Sequence, residues 1–309
     1  SLNSIIFYVF IKITINYLRI SFIYVMKKIK FWGLTLFILK WYHTKKLEVF
    51  MDKRTEEVLA KSLTAETTEL LEYIPYLLQD LWEIGSSPED MEELIKRNIK
   101  HCEKFKVLDL ACGKGAVSVK LAESMGFHVK GIDIIREFIE FAQEKSEEYN
   151  VSDLCEFLTG DINEAVAAEK NYDIVIFGAA GNVLGNPEET MRKLSRTVKN
   201  GGFLLIDEAY LINSAEDIKY RNYEYLTYDE WLEIFKKSGL ALVDEITADM
   251  EQISHDNTDV DLIEKRAEEL IRKFPEKESI FKGYVRSQKN ECEDLEENIK
   301  GITWLLQKL

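Results

Sequence analysis

Residues 107–115 read Val-Leu-Asp-Leu-Ala-Cys-Gly-Lys-Gly, and this stretch decides the fold class. Its first four residues form a short, mostly apolar run with a single charge, which is typical of a parallel strand covered on both faces. Gly113 and Gly115 then allow a sharp turn and a close approach of the backbone to a ligand, because they carry no Cβ. Asp109 lies near the strand end, where a carboxylate could receive the hydroxyl or amino groups of a bound nucleoside. We therefore expect a buried strand, a tight ligand-binding loop and the start of a helix.

The spacing of the glycines separates two kinds of nucleoside-binding loop. A dinucleotide-binding loop follows G-x-G-x-x-G, and Ser118 stands where its third glycine would be. The pattern D-x-x-x-G-x-G instead resembles the first motif of the class I S-adenosylmethionine-dependent methyltransferases. This resemblance implies that Asp109, Gly113 and Gly115 hold the methionine part of the cofactor, and that Ala111 and Cys112 also contact the cofactor.

Four later segments fall where this family would place its next strands. Residues 127–133 predict a second strand that ends in an acid. In a doubly wound sheet this acid faces the ribose hydroxyls of a bound nucleoside, so we expect Asp133, with Ile134 beside it, to contact the cofactor. Residues 154–158 predict a third strand, and the Asp161-Ile162 pair after it resembles the corner of the family that contacts adenine.

The fourth and fifth predicted strands complete the series of alternating strands and helices. Residues 172–177 predict the fourth strand, which runs into Gly178, expected to line the pocket below the sulfonium. Residues 187–199 predict a helix, and residues 201–207 predict the fifth strand. Five elements in order, at the spacing of strand–helix units, carry the resemblance over residues 105–247.

The acids at the strand ends also have a purely structural interpretation. Asp is a favoured helix N-cap, so Asp133 or Asp161 taken singly could cap a helix rather than bind a ligand. Their shared position at the carboxyl ends of consecutive strands favours the ligand-binding interpretation, because ligands of such sheets bind there.

The segments that flank this region predict further elements. Residues 51–104 have apolar residues at helical spacing and predict an N-terminal helical cap, in which Ser87 is an N-cap and Pro88 the first helical residue. Thr227 and Glu230 form a capping-box pattern for a helix that ends at Gly239. Residues 240–246 predict a sixth strand and residues 302–306 a displaced seventh. Between them lies a helical, acidic insertion, residues 249–298, which could be a lid over the substrate or a homodimer contact.

Residues 1–50 differ from the rest of the chain in composition. They carry a net charge of +7 against −15 for the whole chain, which leaves −22 for residues 51–309, and they hold 12 of the 35 aromatic residues. We interpret them as non-native upstream read-through, with Met51 as the natural start. A membrane anchor is the alternative, although Lys12 and Arg19 interrupt the first apolar run.

Charge and cysteine use exclude some functions. A net charge of −22 argues against a nucleic-acid partner, since phosphate binding needs a basic face. The four cysteines have no paired spacing, which indicates a reducing, cytoplasmic setting without disulfides or a zinc site. No other pattern of metal ligands is present, so we expect no metal.

The acceptor side of the site is harder to predict. Five tyrosines follow the fifth strand, and an aromatic pocket for a cationic amine or a flat ring would use them, although they could equally be packing residues. We expect Tyr223 and Tyr225 to contact the substrate, and His255 in the insertion is a candidate base. The sequence does not identify the acceptor or a catalytic base.

Together these patterns predict an α/β fold: a Rossmann-like, seven-stranded, mostly parallel sheet with an N-terminal helical cap and a helical insertion before the last strand. The resemblance implies a cytoplasmic S-adenosylmethionine-dependent methyltransferase that acts on a small molecule and releases S-adenosylhomocysteine. Two alternatives are a non-catalytic protein that binds or senses S-adenosylmethionine and a nucleotide-dependent oxidoreductase. No membrane partner is expected if residues 1–50 are not native.

Overall fold

A seven-stranded sheet lies at the centre of the computed structural model, which describes residues 53–100 and 104–309, without the side chains of residues 250, 251 and 253–256. The predictions for residues 1–50 lie outside this described part. The strand order is β3-β2-β1-β4-β5-β7-β6, and only β7 pairs antiparallel to its neighbours. The strands are β1 (Lys106–Leu110), β2 (His128–Asp133), β3 (Cys155–Thr159), β4 (Tyr172–Gly178), β5 (Val198–Leu211), β6 (Leu240–Thr247) and β7 (Ile299–Lys308). This arrangement confirms the predicted Rossmann-like sheet.

Ten α-helices connect and flank these strands in the described residues. They are α1 (Lys53–Ser62), α2 (Ile74–Leu77), α3 (Pro88–Asn98), α4 (Ala116–Met125), α5 (Arg136–Glu148), α6 (Ile162–Ala168), α7 (Pro187–Leu194), α8 (Tyr228–Lys237), α9 (Met250–Lys273) and α10 (Glu278–Glu297). The two predicted helix N-caps are confirmed. The Ser87 hydroxyl accepts a hydrogen bond from Asp90 N–H at the start of α3, and Thr227 forms a reciprocal capping box with Glu230 at the start of α8. No helix among these residues is both long enough and apolar enough to cross a bilayer.

Two element boundaries differ from the sequence prediction. The helix expected over residues 187–199 ends at Leu194, and the chain enters β5 at Val198, which pairs with Tyr172 of β4. The fifth strand, expected to end at Asp207, continues to Leu211 because the first half of β7 pairs with it, up to Leu211 opposite Ile299. The extension carries β5 past the end of β4, which pairs with β5 only as far as Asp207.

The sheet is covered on both faces, as its apolar strands predict. The residues of β5 alternate between the two cores, with Leu204 and Ile206 in one and Leu205 in the other. A third cluster joins the N-terminal cap to the predicted insertion, where Ile74 of α2 packs in the same core as Phe281 of α10. The cap and the insertion therefore form one layer of helices, and this layer contacts the ends of the strands.

Candidate functional site

The loop after β1 needs its glycines for two physical reasons. Gly113 and Gly115 adopt φ values of +52° and +74°, in the left-handed region that glycine favours. A Cβ on Gly115 would lie 2.7 Å from Cβ of Ala142 and 3.0 Å from the ring of Phe157, so this glycine also lets the start of α4 pack closely. Ala111 has a positive φ of 58° as well, which makes the loop a strained segment held by its surroundings.

Asp109 lies beneath this loop rather than on its open side. Its carboxylate is 4% exposed and accepts a 2.6 Å hydrogen bond from the hydroxyl of Ser118. Burial raises the pKa of Asp109 to about 7, and the nearby carboxylate of Asp133 adds to the rise. Ser118, the residue that breaks the dinucleotide-binding pattern, is thus the partner of the acid that begins the motif.

Asp133 joins the glycine loop to the end of β2. Its Oδ2 accepts a 2.9 Å hydrogen bond from Gly113 N–H, and its Oδ1 accepts a 2.8 Å bond from Ile135 N–H. Burial raises the pKa of this carboxyl to about 6, and the backbone amides partly offset that rise. An ionised carboxylate can accept about four hydrogen bonds, so these two amides leave acceptor capacity for hydroxyl groups of a ligand. The position fits the predicted ribose contact, with Ile134 directly after the strand.

Asp161 caps a helix, which was the structural alternative to a ligand contact. It is the N-cap of α6, where its Oδ1 accepts a 2.8 Å hydrogen bond from Asn163 N–H. Ile162 is 4% exposed and belongs to the core beneath the sheet. The predicted contact of these two residues with adenine stays a prediction.

The cap lies directly on the glycine loop and on the end of β4. A Cβ on Gly113 would lie 2.9 Å from Cδ1 of Ile84, and a Cβ on Gly178 would overlap the hydroxyl of Ser86. The ammonium of Lys114, which is 3% exposed, donates hydrogen bonds to the carbonyls of Leu78 and Leu81, the latter at 2.5 Å. The predicted helical cap thus covers the loop, and the loop holds it through a buried charge.

Beyond the end of β4, side chains of the β5 extension and of the following loop form a second region. The hydroxyl of Tyr223 donates a 3.0 Å hydrogen bond to Glu208, and its ring lies 4.8 Å from that of Tyr225, edge to face. A Cβ on Gly181, in the loop after β4, would lie 3.6 Å from the Tyr223 ring. The structure therefore brings Tyr223 and Tyr225 together beside the loop that follows Gly178.

The five tyrosines predicted as a possible aromatic pocket divide into two groups. The ring of Tyr210 packs on that of Tyr228 at 5.3 Å, and the hydroxyl of Tyr228 donates a 2.8 Å hydrogen bond to Glu245 of β6. These two are packing residues at the sheet edge, whereas Tyr220, Tyr223 and Tyr225 lie by the strand ends. His255 lies in α9, and its side chain is outside the described part of the structure.

Sequence reasoning missed two contacts of this region, the hydrogen bond from Tyr223 to Glu208 and the hydrogen bond that joins the cap to α10. Glu208 follows Asp207 at the end of the predicted fifth strand, so its position in the chain was a usable signal. Glu291 of α10 accepts a 2.8 Å hydrogen bond from the hydroxyl of Thr64 in the cap, and the sequence gives no hint of that pairing. Among the described residues, no group of three or more His, Cys, Asp or Glu side chains could hold a metal ion.

The chain is similar to known proteins over this region. A family model described as a methyltransferase domain matches residues 101–265, more than half of the chain. A provisionally named methyltransferase of Bacillus subtilis (strain 168), YqeM, is 34% identical over 143 residues, which cover 45% of this chain and 51% of that protein. The ubiquinone biosynthesis O-methyltransferase of Rickettsia akari (strain Hartford) is 30% identical over 116 residues, which cover 38% of this chain and 45% of that protein. The chain thus spans about half the length of these curated relatives.

A solved structure shares the fold. It is a SAM-dependent methyltransferase from Geobacter sulfurreducens in complex with S-adenosyl-L-homocysteine, and it superposes with a TM-score of 0.65 at 21% identity. The likeness covers 77% of this chain and 98% of that one, so it extends through the sheet and beyond the family match.

Proposed function

The chain belongs to the class I S-adenosylmethionine-dependent methyltransferase family, and from this premise we propose that it transfers the methyl group of S-adenosylmethionine to a small-molecule acceptor. The observation that carries the proposal is the pair of adjoining regions at the carboxyl ends of the strands: a glycine loop tied to the Asp133 carboxylate, and an enclosed group of polar side chains beyond β4.

The residues of the first region fit the cofactor. The backbone of residues 111–115 turns sharply after β1, with Gly113 and Gly115 at positive φ, and the Gly113 N–H is bonded to the Asp133 carboxylate. The buried Asp133 carboxylate keeps acceptor capacity for two ribose hydroxyls. We propose that Asp109, Gly113 and Gly115 hold the methionine part, with Asp133 at the ribose, Asp161 and Ile162 at the adenine, and Gly178 below the sulfonium. Ala111, Cys112 and Ile134 complete the proposed contacts with the cofactor.

Methyl transfer requires little of the protein beyond alignment of the acceptor with the methyl group. Bound S-adenosylmethionine supplies an activated methyl group on a sulfonium, whose thioether leaves without protonation. Holding the acceptor in line with that methyl group can lower the barrier by roughly 7–11 kcal/mol. A base contributes only where the acceptor carries a proton on its reacting atom.

The enclosure of the second region supports a small acceptor. The hydroxyl of Tyr220 donates a 3.0 Å hydrogen bond to the carbonyl of Lys61 in the cap. The buried carboxylate of Asp294 in α10 accepts hydrogen bonds from the backbone amides of Lys219 and Tyr220, at 2.8–3.0 Å. The loop that carries the tyrosines is thus fixed on one side by the cap and on the other by α10, which supports a site of fixed shape for a small molecule.

Two measurements on the full chain test the proposal. Calorimetric titration with S-adenosylhomocysteine should give one-to-one binding with a micromolar dissociation constant. Incubation with methyl-labelled S-adenosylmethionine and a cell extract should then place the label in the fraction that passes a dialysis membrane. Absence of binding would refute the cofactor, label in protein or nucleic acid would refute the small acceptor, and tight binding without any transfer would favour the non-catalytic alternative.

A further inference from the structure

The segment between α2 and α3 crosses the ends of the central strands. Residues 82–87, which we call the strap, contain no helix or strand, and among the described residues no backbone–backbone hydrogen bond involves residues 82–86. The strap is therefore held by side chains and by single contacts rather than by secondary structure. A segment held in this way can lift without unfolding the helices on either side of it.

The strap lies where the order of the strands reverses. The chain proceeds from β1 outward to β2 and β3, and then returns to β4 on the other side of β1. Ligands of such sheets bind at the carboxyl ends of the strands, in the crevice at this switch point. Two loops flank the crevice here, the glycine loop after β1 and the turn that follows Gly178 at the end of β4.

The strap contacts both of these loops at glycines. A Cβ on Gly113 would lie 2.9 Å from Cδ1 of Ile84, and a Cβ on Gly178 would overlap the hydroxyl of Ser86. Ile84 and Ser86 are only two positions apart, so this short stretch spans the distance from β1 to β4. The strap therefore closes the crevice between the two loops.

Two anchors hold the ends of the strap against the sheet. At its start, the indole N–H of Trp82 donates a 3.1 Å hydrogen bond to the carbonyl of Lys114 in the glycine loop. At its end, the backbone N–H of Ser87 donates a hydrogen bond to the carboxylate of Asp207 in β5. Both partners lie at the strand ends, so the strap can open only when these two hydrogen bonds break.

Gly85, in the middle of the strap, is the point at which it can bend. This residue is exposed and has a φ of +99°, which glycine adopts without strain. A Cβ at this position would overlap the Cβ of Ala179 in the turn after β4. The closed strap thus fits that turn only because residue 85 is glycine.

We propose that the strap is a gate for the cofactor: S-adenosylmethionine enters and S-adenosylhomocysteine leaves only when the Trp82 and Ser87 anchors are broken. The inference rests on the cofactor site proposed above and adds how that site opens. Because the anchors join parts of the chain and not the ligand, they stabilise the closed strap equally in the free and the loaded protein. Loosening an anchor should therefore accelerate entry and exit by the same factor and leave the dissociation constant unchanged.

Trp82→Phe tests the gate. Phe keeps an aromatic ring against Tyr149, whose ring lies 5.1 Å from that of Trp82, but it removes the indole N–H. The full chain is loaded with radiolabelled S-adenosylhomocysteine, the dissociation rate is measured after a chase with unlabelled ligand, and calorimetry gives the dissociation constant. The dissociation rate should rise roughly threefold to tenfold, the effect of losing one neutral hydrogen bond. The dissociation constant should change by less than about twofold, so the association rate calculated from the two rises in parallel.

Two other variants complete the test. Trp231→Phe is the matched control, because the Trp231 indole also packs on an aromatic ring, that of Trp304 at 5.4 Å, but its N–H has no hydrogen-bond partner among the described residues. It removes the same atoms without loosening the strap, so both rates should stay as in the unmodified chain. Gly85→Ala loosens the closed strap by a different route, the collision of its Cβ with Ala179, and should accelerate both rates.

Every other result counts against the gate. An unchanged dissociation rate in Trp82→Phe, or an equal acceleration in Trp231→Phe, would show that the strap does not control passage. Faster dissociation with unchanged association would mean that Trp82 contacts the ligand, and faster association with tighter binding would mean that the closed strap excludes it. Each of these results overturns the gate and leaves the cofactor site standing, whereas no binding of S-adenosylhomocysteine to the unmodified chain would refute the cofactor site itself.

Discussion

Replacing Asp133 with Asn should separate its role toward the cofactor from its role in the fold. The amide keeps one acceptor oxygen but loses the charge, so one of the two backbone bonds, to Gly113 or to Ile135, is lost. A hydrogen bond to a charged group contributes about 1.5–3 kcal/mol. Burial raises the pKa of Asp133 from its ordinary value of 3.8 to about 6, which means that the ionised carboxylate destabilises the folded state by roughly 3 kcal/mol at neutral pH. Asn carries no charge, so the substitution removes this destabilisation. The free energy of unfolding should therefore change by less than about 2 kcal/mol.

Cofactor affinity should respond differently from stability. In the proposed arrangement the ribose hydroxyls donate to the carboxylate, so the loss of its charge should cost about 2–3 kcal/mol of binding free energy, or roughly 30- to 150-fold in the dissociation constant of S-adenosylhomocysteine. Isothermal titration calorimetry measures that constant, and urea unfolding measures stability. An unchanged dissociation constant in a folded Asp133→Asn protein would refute the ribose assignment.

A second buried aspartate serves as the control. Asp294 also accepts hydrogen bonds from backbone amides, those of Lys219 and Tyr220, but it lies in the insertion beside the tyrosine loop. Asp294→Asn should lower stability and leave the affinity for S-adenosylhomocysteine unchanged. If it weakened cofactor binding as much as Asp133→Asn does, the effect at Asp133 would be one of general destabilisation.

Three further changes test how the cap, the loop and the strand ends are coupled. Gly178→Ala should lower the free energy of unfolding by about 1–3 kcal/mol because its Cβ overlaps the cap loop, whereas Gly160→Ala, whose Cβ would be in ordinary 3.6 Å contact, should be nearly neutral in thermal melts. Burial raises the pKa of Asp207 from 3.8 to about 8, so the folded state binds this proton more tightly than the unfolded state, and the resulting stability is lost as pH rises through 8. Asp207→Asn should therefore flatten the decline in melting temperature between pH 6 and pH 9. An identical decline in the variant would contradict this reasoning. Lys114→Met removes both hydrogen bonds to the cap carbonyls, so amide hydrogen exchange in residues 74–81 should accelerate, and unchanged exchange would show that apolar packing alone holds the cap.

The sequence predicted the strands and the glycine loop that adjoins β1 because their determinants are local. The glycines after β1 and the acids at the ends of β1 and β2 are each fixed by backbone geometry within a few residues, and strand order follows from the alternation of strands and helices. The sixth and seventh strands were also predicted correctly, despite the insertion between them, because both are short apolar runs. The same local rules identified the helix N-caps Ser87 and Thr227.

Local patterns did not predict where elements end when the ending depends on a distant partner. β5 continues to Leu211 because β7, almost 90 residues later in the chain, supplies hydrogen bonds to it, and the extension carries Glu208 beyond the end of β4 while it stays paired with Ile302 of β7. Helix α7 stops at Leu194 because the chain must pair with Tyr172 of β4. Pairing between distant strands decided both boundaries.

The contacts of the region beyond β4 were decided by tertiary structure alone. Thr64 and Glu291 are 227 positions apart in the chain, and only the packing of the cap against the insertion brings them into hydrogen-bond contact. No spacing rule relates such residues, because each belongs to an element with its own periodicity. Sequence by itself determined the family, the sheet and the glycine loop after β1 through short-range backbone chemistry, whereas the contacts of Glu208 with Tyr223 and of Glu291 with Thr64 arise only when separate elements pack.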